Sequence, residues 1–290
     1  MTAGLRQLSR RSLRAFLASV VISCQPQPRR FLDAADKWQW EKVLDPLIPA
    51  VEAAIGQRDG PLPYDGFCFI LHKGADKTSV AGRICSYCVQ FAPRRVSIVH
   101  AAADRDQAAE LRKVMTEEKA LNPWFLPGYE IHNYDITGPT GDVEILSSDA
   151  KTSHGKRADL IICDELTVWK SRELWDTLNS TSVKRQGCLT LILCNAGYAG
   201  TWQDAAIKEF KKSPRWYVYH PSGIVASWIN RQKVDEIRKT MLPTEAQRLF
   251  DNIFVESLVN AAFPPEAVEQ MFLTHNGRPL GGISFEELAA

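Results

Sequence analysis

The stretch that decides the fold is Phe67-Cys68-Phe69-Ile70-Leu71-His72-Lys73-Gly74-Ala75-Asp76-Lys77-Thr78-Ser79, followed by helix-like sequence to Phe91. Five apolar residues in a row read as a strand buried on both faces, and the small polar turn after them leads into a helix. A loop that ends in Lys and Thr at a helix start suits a polyphosphate. Backbone N–H groups wrap the anion, the Lys77 ammonium reaches the β and γ oxygens, and the Thr78 hydroxyl is a magnesium ligand. The candidate binding residues are therefore Lys73, Gly74, Ala75, Asp76, Lys77, Thr78 and Ser79. Two positions depart from G-x-x-x-x-G-K-[ST]: Leu71 replaces the first Gly, and Asp76 replaces the Gly before the lysine. Taken alone, the fragment is equally compatible with an ordinary strand-turn-helix.

Outward from this loop the same alternation repeats. Val96-Ser97-Ile98-Val99-His100-Ala101 reads as a strand, and Asp104 to Lys119 reads as a helix with an Asp at its start. Thr137-Gly138-Pro139-Thr140-Gly141 lies between β-prone segments and predicts a hairpin. Leu160-Ile161-Ile162-Cys163 and Leu189-Thr190-Leu191-Ile192-Leu193 are short continuous apolar runs, with helices around 171–181 and 203–212. Such runs alternating with helices imply a mainly parallel sheet covered by helices. A helix is also expected over roughly 34–54, interrupted near Asp45-Pro46, and only helices follow Ala226. This divides the chain into a basic arm (1–33), an α/β domain (34–225) and a helical subdomain or linker (226–290).

Composition narrows the classes. The chain has 290 residues, 45% of them hydrophobic, with 35 basic against 34 acidic groups. That excludes a small disulfide scaffold, a disordered chain and a globally basic nucleic-acid binder. The average conceals an asymmetry, because Arg6, Arg10, Arg11, Arg14, Arg29 and Arg30 have no acid among residues 1–30. An electrostatic grip on an anionic partner would begin there, although a basic start ahead of Leu13 to Cys24 also resembles a targeting segment. Seven scattered cysteines read as buried thiols of a reducing compartment, and the Cys85-x-x-Cys88 pair lacks the second half of a zinc site. No apolar run is long enough to span a bilayer.

Further candidates lie at other strand ends. Leu160 to Cys163 runs into Asp164 and Glu165, roughly ninety residues after Lys77. At the carboxyl end of a parallel strand, the first acid can hold hydrated magnesium and the second can polarise an attacking water. Adjacent acids also cap helices, a reading the pairing with Lys77-Thr78 weakens. Leu189 to Leu193 ends in Cys194-Asn195-Ala196-Gly197. Asn195 is placed to sense a γ-phosphate, or simply to make a turn. Trp38-Gln39-Trp40 offers the Gln39 amide to an adenine edge, or two tryptophans to the core.

Taken together, Trp38-Gln39, Lys77-Thr78-Ser79, Ser147-Ser148-Asp149-Ala150-Lys151-Thr152-Ser153-His154-Gly155, Ile161-Ile162-Cys163-Asp164-Glu165-Leu166 and Cys194-Asn195-Ala196-Gly197 resemble the ATPase domain of tailed-phage terminase large subunits. The S-x-D-A-x-x-x-H-G stretch just before the D-E strand is the most specific part. The likeness covers roughly 36–260, including Arg248-Leu249-Phe250-Asp251-Asn252 as the segment closing that domain.

The resemblance implies a P-loop NTPase of the RecA/ASCE type with a small C-terminal helical subdomain. It implies hydrolysis of ATP with Mg2+, coupled to packaging of double-stranded DNA into procapsids. Lys77 and Thr78 would bind phosphate and magnesium, Asp164 would support magnesium, Glu165 would activate water, Asn195 would couple hydrolysis to movement, and Lys73 would stabilise γ-phosphate charge. Implied partners are DNA, a portal protein, a small terminase subunit and copies of the chain in a ring, in the cytoplasm of a bacterial host and without a membrane. A nuclease domain is expected to be missing from the chain. Two rival readings are a non-catalytic relic, motivated by Asp76, and a helicase fragment.

Overall fold

The computed structural model describes residues 3–123, 126, 128–147 and 157–256. The elements in chain order are α1 (Ala3–Arg11), α2 (Leu13–Ser19), β1 (Val21–Ile22), β2 (Arg29–Arg30), α3 (Phe31–Ala34), a π-helical turn (Gln39–Leu44), α4 (Asp45–Ala54), β3 (Gly66–Ile70), α5 (Lys77–Phe91), β4 (Val96–Ala102) and α6 (Arg105–Leu121). There follow β5 (Glu130–Ile131), β6 (Asp135–Gly138), β7 (Gly141–Ser147), β8 (Leu160–Asp164), α7 (Glu173–Ser182), β9 (Leu189–Cys194), α8 (Trp202–Lys212), β10 (Trp216–Tyr219), α9 (Arg231–Arg238), α10 (Pro243–Ala246) and a second π-helical turn (Gln247–Asp251).

Eight strands form one sheet in the order β10-β3-β9-β8-β4-β7-β6-β5. The first six are mutually parallel, and β7-β6-β5 form an antiparallel edge. The expected α/β class with a mainly parallel sheet is what forms. Its cause is visible in burial: β3, β8 and β9 are buried at every position, as continuous apolar runs require, whereas β7 alternates buried and half-buried residues. The Pro139-Thr140 turn joins β6 to β7 as the sequence predicts. The strand β10 is not anticipated, because Trp216-Tyr217-Val218-Tyr219 is half-buried throughout. Its Trp216 ring lies over Gly66, where a Cβ would come within 2.5 Å of the ring.

One face of the sheet packs under α4 and α5, with Phe67, Phe69, Ile98, Leu160, Ile162 and Leu191 among its core residues. The other packs under α7 and α8 around Trp169, Trp175, Leu178 and Ile207. Val234, Ala246 and Phe250 form a small separate cluster beyond Ala226. Residues 257–290 of the expected helical subdomain lie outside the described residues.

Within the segment expected to be a basic arm, α2 packs on the core while Arg10, Arg11, Arg14, Arg29 and Arg30 stay outside. Leu13, Phe16, Leu17 and Val20 are fully buried, and Phe16 packs on Tyr87 with ring centroids 5.3 Å apart. Leu13 N–H donates to Glu52 (3.1 Å), and Asn122 clamps Val21 by accepting its N–H at 2.9 Å and donating to its carbonyl at 2.8 Å. Arg14 pairs with Asp45 and Arg30 with Asp33, while Arg10 and Arg11 remain exposed. The apolar residues that turn inward belong to α2 and its C-cap, whereas Leu8 of α1 is exposed.

Candidate nucleotide site

The loop from Leu71 to Asp76 leaves the carboxyl end of β3 and is held by its backbone. Leu71 N–H donates to Cys194 O at 2.8 Å, and Lys73 N–H donates to Leu249 O at 2.8 Å. Gly74 has φ +81°, a left-handed conformation that glycine adopts freely, and Asp76 follows in the same region at φ +64°. Asp tolerates that region better than most side chains, so Asp76 can take the place of glycine at the start of α5. Lys77 is buried, with its ammonium 3.1 Å from Asn195 Oδ1, 3.2 Å from Glu165 Oε1, 3.4 Å from Leu71 O and 3.5 Å from His72 O. Four oxygens from three strand ends thus converge on one cation.

Beside them, Thr78 Oγ1 donates to Asp164 Oδ2 at 2.7 Å, and Asp164 O accepts from Trp169 Nε1 at 2.9 Å. Burial raises the Asp164 pKa, but the facing His100 ring, the Thr78 hydroxyl and Lys77 outweigh it and hold the carboxyl below the usual range. Asp164 Oδ1 is buried without a hydrogen-bond partner among the described residues. A hydroxyl and an ionised carboxylate with a free oxygen are hard donors of the kind Mg2+ takes, so the donor set fits that ion. Glu165 sits at φ +51°, its N–H donating to Leu193 O at 2.6 Å, which turns its carboxylate off the strand toward Lys77.

Asn195 bridges the loop and the chain beyond β9. Its Nδ2 donates to Leu71 O at 2.8 Å, and its carbonyl accepts from Thr167 Oγ1 at 3.0 Å. The next residue, Ala196, donates its N–H to Asn252 Oδ1 at 3.1 Å, and Asn252 Nδ2 donates to Ile70 O and Pro221 O, each at 2.8 Å. Arg248 Nη2 donates to Glu245 Oε2 at 2.8 Å, and Glu245 also accepts from Tyr198. Hydrogen bonding from Arg248 lowers the Glu245 pKa against burial, with Tyr198 and the nearby Lys73 charge adding to it.

The structure therefore brings Lys77, Thr78, Asp164, Glu165 and Asn195 together. Lys73 stands at the exposed rim, and Ser79 begins the first turn of α5. Ala75 is buried inside the loop. Asp76 turns its carboxylate to Arg83 Nη1 at 2.7 Å, and Arg83 in turn binds Glu118 through Nε at 2.7 Å. That pairing answers the charge that motivated the relic reading. Gln39 is buried behind Asp76, accepting from Asp36 N–H at 3.0 Å and lying 3.5 Å from Asp76 Oδ2, so its amide already has partners. Both residues line a cavity of about 690 Å3 with Phe31, Gly74 and Trp228. Trp228 closes its edge by donating from Nε1 to Gly74 O at 3.0 Å.

Arg83, Glu118, His100, Arg248 and Asn252 were not singled out by sequence reasoning as parts of the site. His100 carries a local signal as a polar residue inside an apolar strand, and Arg248 and Asn252 figure only as part of the segment closing the domain. Residues 148–156, which hold most of the S-x-D-A-x-x-x-H-G stretch, lie outside the described residues.

The family model of the terminase large subunit ATPase domain matches residues 66–213, about half of the chain. Among curated proteins no relative matches. Among solved structures, the HK97 bacteriophage large terminase superposes with a TM-score of 0.62 at 20% identity, covering 87% of this chain and 55% of that one. The large terminase ATPase domain of Thermus phage P74-26 gives 0.55 at 16% identity, covering 70% and 97%. A large terminase from a thermophilic bacteriophage in complex with ADP gives 0.55 at 14%, covering 75% and 56%. The chain thus spans 55% of the length of the HK97 protein. These likenesses show a shared fold, and with the family match over the loop, the acid pair and Asn195 they establish that this chain belongs to the terminase large subunit ATPase domain family.

Proposed function

We propose that this chain hydrolyses ATP and that the energy drives double-stranded DNA into a phage procapsid. The observation that carries the reading is the convergence of Lys77, Glu165 and Asn195 at the carboxyl ends of β3, β8 and β9, with Thr78 on Asp164 beside them. The N-terminus of α5 and the loop amides supply a cradle for the β-phosphate. Lys77 then exchanges the Glu165 carboxylate for phosphate oxygens, which are the stronger anions. Thr78 and Asp164 would hold magnesium, which neutralises phosphate charge when bound.

Glu165, released from Lys77, is free to accept a proton from water. As that water oxygen bonds to the γ-phosphorus, the bond to the bridging oxygen breaks and leaves ADP and phosphate. Asn195 feels the change because it holds both Lys77 and Leu71. Through Ala196 it reaches Asn252, and through Leu249 the loop reaches the same helical segment, a contiguous hydrogen-bonded route away from phosphate. Copies of the chain in a ring, a portal protein and a small subunit are the partners this reading calls for. The test is steady-state ATP turnover with and without linear double-stranded DNA. Turnover that DNA raises supports the motor, and a chain that binds ATP without hydrolysing it refutes it.

A further inference from the structure

His100 lies near the end of β4, in register with Ile162 of β8 on one side and Ile145 of β7 on the other. Asp164 is two residues beyond Ile162, so its side chain emerges on the same face of the sheet as the His100 ring. The ring is fully buried, and neither nitrogen has a hydrogen-bond partner among the described residues. What it faces is the carboxylate, with Nε2 3.6 Å from Asp164 Oδ2. Thr78 takes that same oxygen at 2.7 Å, and Oδ1 is left unpartnered. An imidazole between two isoleucines gains nothing from packing that a leucine would not supply. Its polar atoms are explained by the carboxylate.

We propose that His100 is a positioning residue for Asp164. Its ring, with Nε2 3.6 Å from Oδ2, flanks the oxygen that the Thr78 hydroxyl also takes, and this leaves Oδ1 as the oxygen without a protein partner among the described residues for hydrated magnesium. The assignment rests on the reading of the site as one for Mg2+ and ATP. It makes His100 act through Asp164 and not on the nucleotide, so its removal weakens the contribution of magnesium and spares binding of the base and sugar. Outer partners that orient a metal-binding group commonly change metal affinity 10- to 100-fold.

The experiment is a fluorescence titration of the chain with a labelled ATP analogue over a series of MgCl2 concentrations and in EDTA, beside thermal unfolding. For His100→Phe, the Mg2+ concentration giving half of the magnesium-dependent gain should rise about tenfold or more. Affinity in EDTA should stay within about twofold of the parent, and thermal unfolding should remain one cooperative transition. His100→Gln, whose amide can reach where Nε2 stood, should return the Mg2+ midpoint to within about threefold. If His100→Phe does not fold, His100→Asn, whose amide is too short, must show the same rise. An unchanged midpoint in a parent that binds Mg2+ and nucleotide overturns the role of His100 alone. Equal loss in the Gln and Phe variants with lowered melting temperatures makes the residue a packing element and also overturns it. A parent with no magnesium-dependent binding overturns both this assignment and the reading beneath it.

Discussion

Replacing Asp76 by Gly, the residue phosphate-binding loops ordinarily carry before the lysine, separates two accounts of this loop. If the carboxylate faced a bound polyphosphate about 5 Å away, an effective dielectric near 20 gives a repulsion of about 3 kcal/mol, and its removal would tighten ATP roughly 100-fold at low magnesium. The carboxylate instead lies 2.7 Å from Arg83, which is 3% exposed. Losing that charge-assisted bond costs about 1.5–3 kcal/mol, while relief of the left-handed backbone returns about 1 kcal/mol, part of which glycine loses again in the unfolded chain. The balance is a destabilisation of about 2 kcal/mol, a drop of roughly 4–8 °C in melting temperature for a chain of this size.

Arg83 remains paired with Glu118, whose pKa burial raises to about 7 against the pull of Arg83, with Asp76 raising it further. Because the folded state holds that proton more tightly, the stabilisation is full below about pH 4.5 and is lost as pH rises toward 7. Removing Asp76 takes one raising charge away and should narrow that window. Chemical denaturation across pH 4–8 and calorimetric titration of ATP at low magnesium read both effects, with ATP affinity expected to change less than about threefold. An unchanged or higher melting temperature together with ATP binding tightened tenfold or more would refute the reasoning.

Other consequences are as direct. Phe16→Ala removes a fully buried ring from the core under α5 and should cost about 3–5 kcal/mol in urea unfolding. Neutralising the exposed Arg10 and Arg11 should leave stability within about 0.5 kcal/mol, and any DNA contact they make would appear as a salt slope flattened by about 0.9 per phosphate. His72 accepts from Ala226 N–H through Nε2, and burial, opposed by the Lys73 carbonyl, lowers its pKa. Its contribution is therefore complete above about pH 6.5 and is lost as pH falls below that value, which hydrogen exchange at Ala226 should report as earlier opening in acid. Lys77→Ala leaves Glu165 without its ion-pair partner and removes the ammonium proposed to bind phosphate, so it should weaken ATP binding in an equilibrium titration instead of only slowing turnover.

Much of this was legible in the chain because the strong signals are local. Continuous apolar runs mark β3, β8 and β9, and the rule that parallel sheets place sites at carboxyl strand ends brings Lys77, Asp164, Glu165 and Asn195 together from sequence alone. What escaped depends on pairing across distance. The Asp76–Arg83–Glu118 triad joins the loop to two helices, and nothing near any one of these residues announces the others. In the N-terminal segment six arginines without an acid dominate a charge count, and the four apolar residues of α2 and its C-cap that face inward show only in the packing. Helix 34–54 was anticipated as one piece with a break near Pro46. In the structure a π-helical turn leads directly into α4, and Pro46 stands at the junction between the two, within the first turn of α4.

The central claim is that Glu165 handles water at a site Lys77 shares with phosphate, in a motor that responds to DNA. The most direct test measures phosphate release from ATP by the parent and by Glu165→Gln, each with and without linear double-stranded DNA, beside equilibrium ATP binding. The account predicts DNA-stimulated turnover in the parent and a loss of at least about 100-fold in the variant, with ATP binding retained. Equal turnover in the two proteins would contradict it.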